Sequence, residues 1–134
     1  MTDHTKYIFN GNSYGKGRLV LAVVTQYFKD FSPSYIELKQ EFPDKIQGSK
    51  FVVISSNELK ERNKKSNDSR VRHFDEPGAE FTTSDGELIY VSNQWGPNIQ
   101  RFISKASEIG YEIKPIIETG HTLEISLSDG DIRN

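Results

Sequence analysis

Apolar residues recur at helical spacing in two separate parts of the chain. The first part follows a glycine-rich basic turn and predicts a helix from residue 16 to 28 or 31. Its apolar positions are Leu19, Val20, Val23, Val24, Tyr27, Phe28 and Phe31. Because β-branched valines lower helix propensity, a buried strand over 19–24 stays open as the alternative. The second part predicts an amphipathic helix between Pro97 and Gly110. Its apolar positions are Ile99, Phe102, Ile103 and Ala106.

Between these two parts the apolar pattern is shorter and more varied. Ser34 and Glu37 have the spacing of a capping box, which predicts a short second helix that Pro43 ends. A polar connector follows. The apolar run at 51–54 fits either a strand or the middle of a third helix. The polar residues at 55–60 then have the composition of a cap that opens another helical turn.

Short β-branched and aromatic runs predict a small antiparallel sheet. Residues 6–10 form the first such run, and a turn of Asn and Gly follows it. The sequence Asp85-Gly86 stands between two β-rich runs, which is a strong hairpin signal. Runs that alternate like strands also occur at 111–113 and 123–127.

Together these elements predict an α+β fold. We expect an N-terminal helix pair with a winged-helix-like layout, a small antiparallel sheet and a C-terminal amphipathic helix. The length of 134 residues fits one domain of ordinary size. We assign residues 1–117 to this domain and residues 118–134 to an acidic C-terminal strand or tail.

Composition and charge narrow the functional classes. The chain has no cysteine, which excludes disulfides and cysteine-ligated zinc. It has no apolar run of signal-peptide or membrane-spanning length, so we expect a cytoplasmic protein without a membrane partner. The formal net charge is −2. Residues 58–72 nevertheless carry six basic and three acidic side chains, a net of +3, whereas 118–134 carry one basic and four acidic, a net of −3.

The basic segment is the strongest electrostatic candidate for a nucleic-acid site. Its side chains could neutralise several phosphates, which predicts salt-sensitive binding. The candidates are Arg62, Lys64, Lys65, Arg70 and Arg72. The alternative interpretation is a solvated loop with interspersed acidic residues, and the sequence does not favour either interpretation over the other.

The glycine-rich turn before the first helix is a second candidate for a phosphate-binding site. A strand, a glycine-bearing loop and a helix N-terminus are the ingredients of a phosphate cradle, with Lys16 and Arg18 as its cations. The spacing of Gly11 and Gly15 does not fit the nucleotide-binding loop, and Gly17 stands where that loop has Ser or Thr. The alternatives are a simple anion contact and a tight turn with a basic rim.

A winged-helix layout would place its recognition element between residues 44 and 54. Lys45, Gln47 and Lys50 are chemically suited to base edges and phosphates. Gly48 and the apolar run after it make a poor exposed recognition helix, so a plain packing unit is the alternative. Trp95 is the only tryptophan, and we interpret it either as a core anchor or as a base-stacking residue.

Signals for catalysis are weak. The three histidines show no metal-ligand spacing, and we assign no catalytic residue, cofactor or metal. A strand with Glu112 and Lys114 has part of the pattern of a metal-dependent nuclease. In that hypothesis Asp85 and Glu112 would hold Mg²⁺ and Lys114 would help to orient the attacking water. The ordinary alternative is the polar face of a half-buried strand.

Three blocks of the sequence carry a family resemblance. The first block is Tyr7-Ile8-Phe9-Asn10-Gly11 with Tyr14-Gly15-Lys16-Gly17-Arg18 and the apolar run to Val24. The second is Phe42-Pro43-Asp44-Lys45-Ile46-Gln47-Gly48-Ser49 with Val52-Val53. The third runs from Asn93-Gln94-Trp95-Gly96 to Tyr111-Glu112-Ile113. The blocks resemble a small module of bacterial restriction and phage-defence proteins, including companions of methyl-directed restriction GTPases. The likeness covers about residues 6–113. It implies an accessory domain beside nucleic-acid-processing machinery, and none of the blocks is a catalytic signature.

Charge clustering and this resemblance together predict a non-catalytic, nucleic-acid-associated accessory or regulatory module. The alternative is a protein–protein interaction module, an inhibitor or adaptor in phage–host conflict. The acidic end and the net charge of −2 favour this alternative, because negative surfaces repel DNA.

Overall fold

The structure, a computed structural model, describes residues 5–65 and 71–116 and has a mixed α+β fold. The described part contains four helices of seven or more residues, one single helical turn and six short strands. In chain order these are β1 (Lys6–Phe9), β2 (Asn12–Tyr14), α1 (Lys16–Phe31), α2 (Tyr35–Glu41), the single turn α3 (Asp44–Gln47), β3 (Val53–Ser55), α4 (Ser56–Lys65), β4 (Glu80–Thr82), β5 (Leu88–Val91), α5 (Ile99–Ile109) and β6 (Lys114–Ile116).

The strands form two antiparallel three-stranded sheets instead of the single small sheet that the sequence predicts. One sheet has the order β2-β1-β6 and the other the order β3-β5-β4. In the first, Tyr7 pairs with Tyr14 on one side and with Pro115 on the other, so β6 returns to the start of the chain. In the second, the predicted Asp-Gly hairpin joins β4 to β5, with Gly86 at φ 88°.

The apolar run after the glycine-rich turn is a helix, so the alternative of a strand at 19–24 is wrong. Helix α1 has sixteen residues, and its C-cap Ser32 adopts a left-handed conformation with φ 44°. Its apolar stripe lies in the core. The buried members are Leu19, Val20, Val23, Val24 and Tyr27.

Aromatic rings connect the helices inside the core. The ring of Tyr27 on α1 meets Phe42 edge to face at 5.3 Å, and Phe42 stacks on Phe102 of α5 at 5.6 Å. Phe102 in turn meets Trp95 at 5.6 Å. Such pairs add to the stability that burial alone supplies. The aromatic row therefore ties the segment before α5 to the helices at the start of the chain.

The segment proposed as a recognition element is not one helix. The single turn α3 ends at Gly48, which has φ 114°, and residues 51–54 are buried and lead into β3. An apolar run with three β-branched residues in succession favours a strand that is covered on both faces. The winged-helix-like layout is thus not confirmed. The capping box of α2 is confirmed, since Ser34 accepts from Glu37 N and the Glu37 carboxylate accepts from Ser34 N.

Several sequence-based predictions fall outside the described residues. They are Arg70, the strand at 123–127 and the acidic segment 118–134. Among the described helices none is long and apolar enough to cross a membrane.

Candidate functional site

The basic rim at the start of α1 is largely an internal ion pair. Arg18 donates two hydrogen bonds to the Glu76 carboxylate, at 2.6 and 2.9 Å, and its guanidinium lies 4.7 Å from the centre of the Phe74 ring. The hydrogen bond from Arg18 holds the pKa of the Glu76 carboxyl below its usual range. Lys16 is the first residue of α1 and is half-buried. Arg18 is therefore occupied by a carboxylate that is distant in the sequence.

The basic side chains of α4 do not form one continuous surface. Arg62 donates to Asp44 at 3.0 Å and to Glu58 at 2.9 Å, and Lys64 lies 3.3 Å from Glu61. Lys65 is exposed at the end of the helix. Within the described part of the predicted basic segment, acidic neighbours thus offset two of the proposed phosphate contacts.

Arg62 belongs to a half-buried ionic cluster that attaches α4 to the rest of the fold. Tyr35 donates its hydroxyl to Glu58 at 2.6 Å, and the same oxygen accepts from Ser55 N at 3.2 Å. Lys39 donates to Asp44 at 2.5 Å. Burial and then the bond to Glu58 raise the pKa of Tyr35 to about 12. The Tyr35 bond, together with Arg62, lowers the pKa of Glu58. These contacts join α4 to α2, α3 and β3.

Tyr35→Phe is expected to lower the free energy of unfolding at neutral pH by about 1–2 kcal/mol, discounted for the partial exposure of the pair. The ordinary pKa of the Glu58 carboxyl is 4.5, and the folded protein lowers it. The contribution of the charged bond is therefore present above about pH 4.5 and is lost as pH falls through the lowered pKa. Urea denaturation from pH 7 to pH 3 should show the difference from the unmodified protein shrinking with acid.

Tyr90→Phe is the matched control for this prediction, because the Tyr90 hydroxyl has no partner among the described residues. It should leave stability within about 0.5 kcal/mol at every pH. An equal loss in both variants, or a Tyr35→Phe loss that grows with acid, would contradict the assigned bond.

A concave polar surface on the other side of α3 brings distant residues together. We call it the Trp95 groove; its volume is about 620 Å³. The lining residues are Gln47, Gly48, Ser49, Lys50, Arg72, Asn93, Gln94, Trp95, Gly96, Pro97, Asn98 and Arg101. Four of the predicted site residues meet here, namely Gln47, Lys50, Arg72 and Trp95. Lys45 is exposed on α3 and does not line the groove.

Three cations stand around the groove, and none of the described residues that line it carries a carboxylate. Lys50 and Arg101 are exposed, and Arg72 is half-buried with its guanidinium 3.5 Å from the Gln94 side-chain oxygen. This surface is positive although the chain has a net charge of −2. A concave site lined by one sign of charge concentrates ions of the opposite sign.

The backbone of Gly48 positions Arg101. The Arg101 guanidinium donates from Nε to Ile46 O at 3.1 Å and from a terminal nitrogen to Gln47 O at 3.5 Å. A Cβ at position 48 would lie 3.0 Å from the guanidinium, and the φ of 114° already favours glycine. Glycine therefore lets the cation approach the last turn of α3, whose carbonyls hold it at the groove.

Side-chain amides form the floor of the groove and satisfy one another. Gln47 is only 6% exposed; it donates to Gln94 O at 2.8 Å and accepts from Lys50 N at 2.6 Å. Asn98 donates to Gln47 O and accepts from Gly96 N. Because both ends of the Gln47 amide are engaged, its role here is to hold the groove together, in place of the predicted contact with base edges.

Trp95 is both an anchor and part of the groove wall. Its indole Nε1 donates to Ser92 O at 2.9 Å, and one edge meets Phe102 in the core. The ring is half-buried and lines the groove. The interpretation of Trp95 as a core anchor is thus confirmed, and a stacking role stays a prediction.

The residues of the nuclease hypothesis lie in different sheets. Asp85 stands in the turn between β4 and β5 and accepts from Thr83 Oγ1 and Tyr35 N, whereas Glu112 lies just before β6 and pairs with Lys114 at 3.3 Å. Over residues 5–65 and 71–116, no group of three or more His, Asp or Glu could hold a metal ion. A nuclease stays an untested prediction.

Sequence reasoning missed several lining residues, above all Arg101. Arg101 is on the polar face of a helix, where a cation is ordinarily solvated. The only feature of the sequence that could have indicated a role in the site is its position one turn after Asn98. The pair Asn93-Gln94 before Trp95 is a local cluster of amides that could have indicated a polar site. No protein-family model, curated protein or solved structure matches the chain.

Proposed function

We propose that this chain is a non-catalytic accessory or regulatory module that binds nucleic-acid phosphates in the Trp95 groove. The observation that carries this proposal is the set of three cations, Lys50, Arg72 and Arg101, around a concave surface whose described lining residues contain no carboxylate. Arginine and lysine make most of the contacts by which proteins hold phosphate groups.

The construction of the groove also favours an anion. The amide network fixes the backbone on both sides, and the carbonyls of Ile46 and Gln47 hold the Arg101 guanidinium in place before any ligand binds. A site that is already ordered loses less conformational entropy on binding. Ser49 adds a neutral hydrogen-bonding group at the groove, and hydroxyls are common partners of phosphate oxygens.

The other predicted cations have secondary roles in this proposal. Lys45 and Lys65 are exposed and extend the electrostatic attraction beyond the groove. The winged-helix-like layout stays a prediction, and binding in the groove does not require it. A link to bacterial restriction or phage defence rests on the sequence resemblance alone.

The test is oligonucleotide binding by the unmodified protein and by the double variant Lys50→Glu/Arg101→Glu. Reversing two phosphate-binding charges should weaken binding by about 100-fold at low salt. It should also flatten the plot of log K against log salt by about 1.5. Fluorescence anisotropy with a labelled strand and with a labelled duplex, at 50 and 200 mM salt, measures both quantities.

Lys29→Glu is the matched control, because Lys29 is exposed on α1 and does not line the Trp95 groove. Each Lys→Glu or Arg→Glu change alters the net charge by the same amount. Because salt screens a charge outside the groove, Lys29→Glu should reduce affinity less than about threefold. Affinity that is unchanged in the double variant, or that falls equally in Lys29→Glu, overturns the proposal.

An interaction with another protein is the second candidate function. Phe31 is 55% exposed at the end of α1, and Ile36 is 68% exposed at the start of α2. Large apolar side chains that are exposed next to one another are typical of docking surfaces, and this candidate requires that Phe31 and Ile36 form such a patch. Co-purification of one protein that the Phe31→Ser/Ile36→Ser variant no longer retains, without any oligonucleotide binding, would favour this function.

A further inference from the structure

We infer that the Trp95 groove takes a short segment of single-stranded nucleic acid, with one base stacked on the Trp95 ring. This inference rests on the proposed function and names the form of nucleic acid that fits the site. Its first support is the shape of the groove. The walls are the loop at 47–50 and the segment at 93–98, and they border an open groove of about 620 Å³. This is the size of a pocket for a small ligand.

A concave site of this size suits a flexible strand better than a duplex. A duplex keeps its bases stacked inside and presents phosphates on a convex surface. A single strand can turn its bases outward, so that a base and its phosphates enter one pocket together. Trp95 and the three cations line the same groove, and a single strand can therefore contact both at once.

The number of cations limits the length of the bound segment. Lys50 and Arg101 can neutralise about two phosphates, which corresponds to about two or three nucleotides and a salt slope near −1.5 for a single strand. Proteins that follow a duplex need a basic face that spans several phosphates on each strand. The cations that line the Trp95 groove are too few to form such a face.

The Trp95 ring is held in a fixed orientation that favours stacking. The hydrogen bond from Nε1 to Ser92 O and the edge contact with Phe102 restrict its rotation. A base that stacks on Trp95 in the groove would therefore not have to order a mobile side chain. Because the amides of Gln47 and Asn98 are engaged within the floor, we expect little preference among the bases.

The test uses the intrinsic fluorescence of Trp95, since the chain has no other tryptophan. The full chain is titrated with oligothymidylates of increasing length, with abasic strands of equal phosphate number and with a duplex. Stacking should quench the emission, and affinity should rise with length until about three nucleotides and then level off. The abasic strand should bind about tenfold more weakly and leave the emission unchanged. Oligouridylates test whether RNA is accepted as well as DNA.

Two variants separate stacking from folding. Trp95→Phe keeps an aromatic face against Phe102 and should retain most of the affinity, whereas Trp95→Leu should bind thymidylates no better than abasic strands. The comparison of thymidylate with abasic strands uses the unmodified protein. It therefore tests base stacking even if Trp95→Leu does not fold.

The two proposals fail in different ways. Equal affinity for thymidylate, abasic strand and duplex, still lost in Lys50→Glu/Arg101→Glu, would overturn the single-strand inference and leave phosphate binding intact. Absence of binding to every probe would overturn the proposed function itself.

Discussion

Phe102→Ala is expected to lower the free energy of unfolding by about 3–5 kcal/mol. The Phe102 side chain has no exposed surface, and its ring lies 5.6 Å from the rings of both Phe42 and Trp95. Removing it opens a cavity at the point where α5 meets α2 and the groove segment. Neighbouring aromatic rings are too rigid to fill such a cavity completely. Urea denaturation followed by far-UV circular dichroism measures the change.

The same variant should alter the surroundings of Trp95. With the Phe102 ring gone, the indole loses an aromatic neighbour, and its emission in the folded protein should change in wavelength or intensity. Ser104→Ala, at an exposed position of the same helix, should change stability by less than about 0.5 kcal/mol. A loss below 1 kcal/mol for Phe102→Ala, or one no larger than that of Ser104→Ala, would contradict the continuous aromatic row.

Gln47→Ala is expected to cost about 2–4 kcal/mol, although it removes only a polar side chain. It leaves Lys50 N without its acceptor and Gln94 O without its donor, and the Gln47 residue that bonds them is itself only 6% exposed. Unsatisfied buried groups lose the hydrogen bonds that water provides in the unfolded chain. Thermal and urea denaturation measure the loss.

The loss should extend from stability to binding. Gln47 joins the two walls of the Trp95 groove, so its removal should weaken oligonucleotide binding at temperatures well below unfolding. Gln40→Ala is the control, since Gln40 is exposed on α2, and it should leave both properties nearly unchanged. Full stability in Gln47→Ala would show that the amide floor does not hold the groove together.

Elements that depend on neighbouring residues could be predicted from the sequence. Helix α1 begins at Lys16 and ends at Phe31, as the apolar spacing predicts. The capping box at Ser34 and the hairpin at Asp85-Gly86 are also confirmed. In each case the signal is local, because helix spacing, cap hydrogen bonds and positive φ act within a few residues.

Elements that depend on a distant partner could not be predicted. The run at 51–54 has no periodicity that separates strand from helix, and its pairing with β5 decides in favour of strand. Counting charges along the chain also failed to show which cations carry acidic partners. Glu76 lies 58 positions after Arg18, and Asp44 lies 18 positions before Arg62.

The sequence by itself determined the α+β class, the long first helix and the stock of basic and aromatic residues from which a site could be built. Only the tertiary structure decided where that site lies. The Trp95 groove combines the end of α3, Arg72, the segment at 93–98 and the first turns of α5. Helices and turns are stabilised by interactions between residues that are close in the sequence. The groove depends instead on long-range hydrogen bonds such as those of Gln47 with Gln94 and of Arg101 with Ile46. Those contacts form only when the packed core brings the segments together.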